Sequence, residues 1–281
     1  MQRDRLIPLE YLNHRMRRPL SLPVWVPSRT NLRFRKAMRL SDDNVFSIIN
    51  AHREAGKDTG DLLSMLLAAR DEETGEGLTN QELRDEVMTF LGAGNEPTAV
   101  TLTWAWYLLS KHPDVERRLH AELDEVLGGR TPTIEDVANL TYTRMIIDET
   151  LRLYPAAWAI GRGIVDDDEI GGYRIKKGAM MLHSPYVTHR RSDIWDNPEG
   201  FDPERFTPER VAERPRYAYF PFGGGPRQCI GNTFAMMEAQ LVLATVAQKY
   251  RLSLVPGCTV EPDPIFTLRP NRAVLMTLQP R

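Results

Sequence analysis

The residues with the most distinctive chemistry lie in a glycine-crowded loop that holds one of the two cysteines of the chain. The loop reads Phe-Gly-Gly-Gly-Pro-Arg-Gln-Cys-Ile-Gly over residues 222–231, and Cys229 follows Arg227 by two positions. The glycines let the backbone approach a flat ligand closely. A long amphipathic segment follows, and the positive end of its helix dipole stabilises a thiolate at the sulfur. Such a thiolate can ligate iron, and an ordinary core cysteine does not require the preceding Gly-Gly-Gly-Pro-Arg run.

A possible ion pair lies upstream of this loop. Glu149 and Arg152 stand at the end of a helical pattern that predicts a helix over residues 134–153. Three positions apart on a helix, the two side chains share one face and can pair. Such pairs are common on exposed helices. The weight of this pair therefore comes from its order relative to the cysteine loop and to a Pro-Glu-Arg-Phe segment, residues 203–206, between the two.

The third feature is a periodic stretch that predicts one long helix over residues 79–110. A capping box opens it, because Glu82 follows Thr79 by three positions. In its middle stands Ala-Gly-Asn-Glu-Pro-Thr, residues 93–98. Pro97 removes a hydrogen bond to the carbonyl of Ala93, which predicts a bulge or kink. The alternative is two helices that meet at a turn.

Together these features resemble the cytochrome P450 family, whose haem-binding loop has the pattern Phe-x-x-Gly-x-Arg-x-Cys-x-Gly. The chain fills every fixed position of that pattern with Phe222, Gly225, Arg227, Cys229 and Gly231. The resemblance implies haem b as the cofactor and Cys229 as the ligand of its iron. It also implies that the other four residues contact the cofactor.

The resemblance gives the upstream pair a role. In the family, a Glu and an Arg of the K helix join a later Arg to form a buried triad beneath the haem. The corresponding residues here are Glu149, Arg152 and Arg205, referred to below as the triad. One carboxylate that holds two guanidinium groups is expected to pin the cysteine loop to the helix.

An arginine further along the chain is also expected to contact the cofactor. The family commonly binds a haem propionate with an arginine placed like Arg162, seven residues beyond Pro155, and Arg227 has the same expected role. Planar guanidinium groups suit propionates because they can form two hydrogen bonds with a carboxylate. A lone histidine near a strand is usually satisfied locally, so the predicted site excludes His183 and His189.

The long helix resembles the I helix of the family, which passes over the distal face of the haem. Ala93, Gly94 and Glu96 match its Ala-Gly-x-Asp/Glu-Thr segment. Pro97 stands where the family usually has a threonine whose hydroxyl helps to deliver protons. The predicted catalytic residues are therefore Glu96 and Thr98. One residue of helix is a rotation of about 100°, so Thr98 serves only if the kink turns it back toward the iron; otherwise an ordered water or a substrate hydroxyl must serve.

The periodicity along the chain predicts a mainly α protein with a small β-sheet (α+β), and the resemblance makes this a cytochrome P450 fold truncated at its N-terminus. We predict one domain over residues 1–281 that starts near the G helix of the family, and we expect the chain to be a fragment or to have a misassigned start. The first thirty residues read as loop. Further helices are predicted over residues 31–55, 60–71, 113–127 and 229–250, β-like runs over 160–188, and two strands over 251–279.

Composition narrows the class of protein. The formal net charge is −2, with 36 basic and 38 acidic residues, which excludes a general attraction to nucleic acid or to an anionic membrane. The two cysteines are Cys229 and Cys258, so committing one to iron leaves no disulfide framework. This fits a reducing compartment, and we predict a cytoplasmic protein. The sequence contains neither a signal-peptide core nor an apolar run long enough to span a membrane.

The resemblance implies a haem-thiolate monooxygenase of the soluble, bacterial-like type, which inserts one oxygen atom of O₂ into a lipophilic small molecule. Electrons are expected from a ferredoxin or a flavin reductase, because these residues contain no glycine fingerprint for flavin or nicotinamide. Two alternatives remain open. Pro97 points to a peroxide-driven haem enzyme, and the missing front part points to an inactive or haem-free remnant.

Overall fold

The computed structural model describes residues 7–16, 18 and 21–281, and it confirms the mainly α fold with small β elements. The α-helices are α1 (Ile7–Met16), α2 (Arg29–Ala55), α3 (Leu62–Ala68), α4 (Asn80–Lys111), α5 (Pro113–Leu127), α6 (Thr141–Leu153), α7 (Pro185–Thr188), α8 (Pro208–Glu213) and α9 (Asn232–Ala247). The chain forms two compact units, Met1–Asn95 and Glu96–Arg281, whose boundary lies inside α4. The single domain over residues 1–281 stays a prediction.

Helix α1 contradicts the predicted loop over the first thirty residues. It carries Pro8 in its first turn, where a proline displaces no helical hydrogen bond. Its Tyr11 is buried, stacks on Phe34 with 4.0 Å between the ring centroids, and donates to Asn31 Oδ1 at 2.9 Å. Tertiary contacts therefore stabilise a helix that the sequence pattern does not indicate. The loop prediction also covered residues 1–6, 17, 19 and 20, which lie outside the described residues.

The first unit is organised around the long helix α2. Ser28 caps its start by accepting a hydrogen bond from the Asn31 amide at 3.2 Å, and Gly56 ends it in the left-handed region with φ 58°. Val45 and Ile49 of α2 pack with Leu83 of α4 in a small buried core. The prediction of a helix over residues 31–55 is thus confirmed, with a start two residues earlier.

Helix α4 is continuous through Pro97, so the alternative of two helices that meet at a turn is wrong. The predicted capping box is present: the Thr79 amide donates to a carboxylate oxygen of Glu82 at 2.8 Å, and the Glu82 amide donates to Thr79 Oγ1 at 3.2 Å. Beyond the proline, the helix enters the core of the second unit with Val100 and the fully buried Trp104. Burial of this face keeps the chain helical although Pro97 removes one hydrogen bond.

The core of the second unit lies between the second part of α4 and helices α5, α6 and α9. Leu119 and Leu123 of α5, Ile146 of α6 and Leu243 of α9 are all fully buried in one apolar cluster. Each helix thus buries one apolar face against its neighbours. This packing fixes the C-terminal end of α6, which carries Glu149 and Arg152, and the N-terminal end of α9, which follows the cysteine loop. Among the helices of the described residues, none is both long and apolar enough for a membrane span.

Helix α6 begins later than the predicted range of residues 134–153. Ile134–Asp136 form a separate 3₁₀ helix, whose start is capped by a capping box between Thr133 and Asp136. The start of α6 is capped from α5, because the Glu122 carboxylate accepts the Thr143 amide at 2.8 Å. The sequence pattern missed this break because the cap comes from another helix, 21 residues away in sequence.

Within the described ranges, the β elements form four antiparallel pairs of strands. They are β1 (Ile160–Gly163), β2 (Asp168–Ile170), β3 (Tyr173–Ile175), β4 (Met180–His183), β5 (Tyr250–Leu254), β6 (Pro262–Pro264), β7 (Leu268–Pro270) and β8 (Met276–Pro280). β1 pairs with β4, β2 with β3, β5 with β8 and β6 with β7. The β-like run predicted to residue 188 ends at His183, where α7 follows. The two predicted final strands correspond to β5 and β8, and the β6–β7 hairpin between them was not predicted.

Candidate cofactor site

The cysteine loop, residues 222–231, is a chain of tight turns. The Cys229 amide donates to the Phe222 carbonyl at 2.9 Å, and the Gln228 amide donates to the Gly225 carbonyl at 3.0 Å. Gly223 and Gly225 have φ values of 73° and 70°, which only glycine adopts without strain. A Cβ added at Gly225 would meet nothing within 4 Å, so the space beside it is open. The loop presents Cys229 as an exposed free cysteine.

Helix α9 is shorter than the predicted range of residues 229–250. It begins at Asn232, three residues after Cys229, because residues 225–227 form a 3₁₀ turn and Gly231 precedes the first helical residue. It ends at Ala247, since Tyr250 already belongs to β5 and pairs with Pro280 of β8. The helix N-terminus therefore lies next to the cysteine in sequence, but the cysteine is not part of the helix.

The groups around the loop suit a flat apolar cofactor that carries carboxylates. Ile230 is 89% exposed and Phe234 is 59% exposed, so both offer large apolar surfaces next to the cysteine. Arg227 is exposed and forms no hydrogen bond or ion pair with any residue in the described ranges. The Arg162 guanidinium donates to the Gly161 carbonyl at 3.0 Å, and no carboxylate of the described residues pairs with it. An exposed thiol and the Arg227 guanidinium, which has no carboxylate partner in the described part of the chain, fit haem b and one of its propionates. Arg162, in β1, stays a predicted partner of the second propionate.

The structure brings the three triad residues together. Arg152 Nε donates to Glu149 Oε2 at 2.6 Å, and Arg152 Nη2 donates to Oε1 at 2.8 Å. Arg205 Nε lies 3.5 Å from Glu149 Oε1. The side chains of Glu149 and Arg152 are both 0% exposed. The carboxylate thus holds one guanidinium by two parallel hydrogen bonds and the other by a longer ion contact.

Among the described residues, the triad forms no direct hydrogen bond or ion pair with the cysteine loop, so its role in pinning that loop stays a prediction. Its hydrogen bonds to the described backbone end in the segment that precedes the loop. Arg152 donates to the carbonyls of His189 at 2.8 Å, Pro198 at 2.7 Å and Gly200 at 2.8 Å. Arg205 donates to the Asn197 carbonyl at 3.0 Å. The triad therefore fastens α6 to residues 189–205.

Tyr219 and His189, which the sequence analysis did not place in the site, connect the cysteine loop to the rest of the second unit. Tyr219, just before the loop, donates from its hydroxyl to Asp148 Oδ1 at 2.9 Å and to the Asp148 carbonyl at 3.0 Å. The Phe220 amide donates to Nε2 of His189 at 2.9 Å. The position of Asp148 directly before Glu149 was the one sequence signal for this contact. Nothing in the sequence signalled the bond to His189, which the sequence analysis left out of the site.

Glu96 and Thr98 occupy different environments on α4. Glu96 accepts a hydrogen bond from the hydroxyl of Thr267, which lies in the turn of the β6–β7 hairpin. Its Oε2 atom is buried and has no hydrogen-bond partner among the described residues. Burial raises the pKa of Glu96, while the bond from Thr267 and the charge of Arg269 oppose that rise. Thr98 is 8% exposed, one residue beyond Pro97.

Comparisons with known proteins find relatives of this chain in sequence and in structure. The family model described as Cytochrome P450 matches residues 9–277. The chain is similar to cyclooctatin synthase of Streptomyces melanosporofaciens, 44% identical over 89% of this chain and 55% of that protein. Pentalenene oxygenase of Streptomyces avermitilis is 39% identical over 96% of this chain and 59% of that protein. The solved structure of the cytochrome P450DA heme domain matches with a TM-score of 0.89 and 33% identity, over 99% of this chain and 61% of that one. The chain thus spans between half and two thirds of the length of these relatives.

Proposed function

The chain belongs to the cytochrome P450 family, and from that premise we propose that it carries the haem-thiolate centre of a monooxygenase. The proposed reaction inserts one oxygen atom of O₂ into a lipophilic small molecule. The observation that carries the proposal is the cysteine loop, which presents an exposed cysteine next to an arginine that has no partner among the described residues. Haem b, which members of the family bind, supplies O–O bond cleavage and oxygen insertion when a thiolate ligates it.

Several residues of the loop, together with Arg162 of β1, have a proposed task. Cys229 ligates the iron, and the glycines at its N-terminal side leave room for the macrocycle. Arg162 and Arg227 pair with the propionates, since neither guanidinium has a carboxylate partner in the described part of the chain. Phe222 is half-buried and connects the loop to the core.

We propose that Glu96 holds and delivers protons. Pro97 has no hydroxyl, so the groups on α4 that can carry a proton are its two neighbours, Glu96 and Thr98. Burial favours the protonated, neutral form of Glu96, which is the form that can donate. Thr98 is proposed as a supporting hydroxyl of the same site.

The proposed substrate class is an apolar molecule of small size. Two relatives are named for pentalenene and for cyclooctat-9-en-7-ol, which by their names are an alkene and an unsaturated alcohol. The proposed electron donor is a ferredoxin or a flavin reductase, because these 281 residues contain no flavin or nicotinamide fingerprint. A peroxide-driven reaction is the second candidate, and the proline next to Glu96 is the observation that favours it.

The reduced carbon monoxide difference spectrum tests the proposal. We expect the purified chain with haem to show the Soret band of thiolate-ligated haem, and Cys229→Ser to lose it. Cys258→Ser is the matched control and should keep the band. A flat trace in the wild-type chain would support an inactive remnant. If the band is present, product formation with a reductase system supports a monooxygenase, whereas turnover with hydrogen peroxide alone supports the second candidate.

A further inference from the structure

His189 is a completely buried histidine that lies between the triad and the cysteine loop. Its side chain is 0% exposed. The imidazole packs on two aromatic rings that directly precede the loop, with centroid distances of 5.2 Å to Tyr219 and 5.3 Å to Phe220. Each of its polar groups is therefore removed from solvent, and the partners of those groups decide its protonation state.

The hydrogen bonds of His189 define one tautomer. Nε2 accepts the Phe220 amide at 2.9 Å, and only a nitrogen without a proton can accept that bond. The proton of the neutral ring therefore lies on Nδ1, which is buried with the backbone of Leu151 and Arg152. The neutral form is favoured because burial lowers the pKa of His189 to about 3, although the backbone of Leu151 and Arg152 opposes that shift by hydrogen bonding. The nearby charges of Arg152 and Arg190 act in the same direction as burial.

These contacts form a continuous path from the triad to Cys229. Arg152 donates to the His189 carbonyl at 2.8 Å, and the ring of His189 accepts the Phe220 amide at 2.9 Å. Phe220 lies two residues before Phe222, whose carbonyl accepts the Cys229 amide at 2.9 Å. The triad bonds stop at the His189 backbone, so the imidazole provides the next step along this path.

We infer that His189 is a positioning residue for the cysteine loop: as a neutral imidazole with its proton on Nδ1, it fixes the Phe220 amide and thereby the backbone that presents Cys229. The inference rests on the proposed function only in that Cys229 is the iron ligand. The hydrogen bond itself is a property of the polypeptide and can be measured without haem.

The first test measures amide hydrogen exchange at Phe220 by NMR in the 281-residue chain. His189→Leu removes the acceptor of the Phe220 amide. We expect hydrogen exchange at Phe220 to be about tenfold faster, because the hydrogen bond that protects this amide is lost. His189→Gln keeps an acceptor oxygen near the position of Nε2 and should stay within about twofold of the wild type. His183→Leu changes the exposed histidine of β4 in the same way and is the matched control. Unchanged exchange in folded His189→Leu would overturn the inference.

A second measurement needs no variant that alters the fold. In the wild-type chain labelled with ¹⁵N-histidine, with His189→Gln used only to assign the signal, we expect Nδ1 to carry the proton and Nε2 to be unprotonated at neutral pH. A proton on Nε2 would contradict the inference. This result does not depend on whether His189→Leu folds.

The carbon monoxide difference spectrum then connects the bond to the cofactor. With haem bound, His189→Leu should lose part of the thiolate-type band, and His189→Gln and His183→Leu should keep it. A wild-type chain that shows no such band contradicts the proposed function, while the exchange at Phe220 still decides the role of His189. A wild-type band together with an unaltered band in His189→Leu contradicts the positioning role alone.

Discussion

The triad and the cysteine loop belong to the same compact unit but differ in the burial and pairing of their polar groups. In the triad, the side chains of Glu149 and Arg152 are 0% exposed and that of Arg205 is 9% exposed. In the loop, Cys229 is exposed and Arg227 has no partner among the described residues. The triad is therefore a site that the polypeptide completes by itself, whereas the loop leaves exposed the groups that are proposed to contact the cofactor.

This difference separates effects on folding from effects on cofactor binding. A buried charge that loses its partner destabilises the fold, because the remaining charge is neither solvated nor paired. Substitution of an exposed side chain that has no partner in the protein leaves the stability of the fold unchanged and affects only the binding of a ligand.

The largest effect is expected from Arg152→Met. The substitution leaves the Glu149 carboxylate buried without its two short hydrogen bonds, and it removes three bonds to backbone carbonyls. We expect the free energy of unfolding to fall by about 3–5 kcal/mol, measured by urea titration with tryptophan fluorescence. Arg117→Met removes an ion pair to Asp114 whose arginine side chain is 71% exposed, and it should cost less than about 1 kcal/mol. Similar losses in the two variants would contradict the contrast.

Glu96 is an intermediate case: the residue is partly buried, and its buried Oε2 atom has no hydrogen-bond partner in the described part of the chain. Because burial raises its pKa, the folded protein binds a proton more tightly than the unfolded chain does. The free energy of unfolding therefore contains a contribution that decreases as pH rises from the ordinary glutamate range through the raised pKa. Glu96→Gln removes this contribution, so its stability relative to wild type should increase over that window and approach a constant below it.

Urea titrations at several pH values measure this dependence. Glu86→Gln changes an exposed glutamate on the same helix and is the matched control. Its stability relative to wild type should not vary over the same pH window. A Glu96→Gln difference that is equally flat would show that Glu96 has no raised pKa in the folded protein.

Tyr219 connects the two regions, and its hydroxyl bond should have a moderate effect. Tyr219→Phe removes a donor from the Asp148 carboxylate and carbonyl, at 2.9 and 3.0 Å. We expect the free energy of unfolding to fall by about 1–2 kcal/mol, read from a thermal melt. Tyr217→Phe, at a tyrosine that is 50% exposed, should change it by less than about 0.5 kcal/mol. Equal melting temperatures for wild type and Tyr219→Phe would remove Tyr219 from the connection.

The smallest effect on the fold is expected in the loop. Arg227→Gln should change the free energy of unfolding by less than about 0.5 kcal/mol, since the guanidinium is exposed and unpaired among the described residues. Haem retention during gel filtration should nevertheless decrease, because one propionate loses its proposed partner. Arg272→Gln, at another exposed arginine, should retain haem like the wild type. Equal retention by both variants would remove Arg227 from the cofactor site.

The sequence predicted a helix accurately where both its start signal and its end signal lie within the helix or directly beside it. Helix α5 runs from Pro113 to Leu127, as predicted, because a proline suits its first turn and Gly128 ends it with φ 55°. The prediction for α6 started too early because its cap comes from Glu122 of another helix. Likewise, the cysteine loop was identified from its residues alone, since every fixed position of the pattern lies within ten residues.

The support of the site could not be predicted in the same way. Thr267 lies 171 residues from Glu96, and Tyr219 lies 71 residues from Asp148. Threonine and tyrosine hydroxyls are common, and nothing in their immediate sequence distinguishes these two from others. The partner of each was decided by which segments the folded core brings face to face.

The amino-acid sequence by itself determined which side chains can do chemistry: a cysteine after glycines, an arginine two positions before it, and a Glu-x-x-Arg pair that a helix places on one face. Those are local properties, because backbone conformation and helix spacing depend on near neighbours. Only the tertiary structure decided that the triad fastens the segment before the loop and that a buried histidine connects this segment to the cysteine. A hydrogen bond between distant segments forms only where the fold brings both groups together, so no local pattern can encode it.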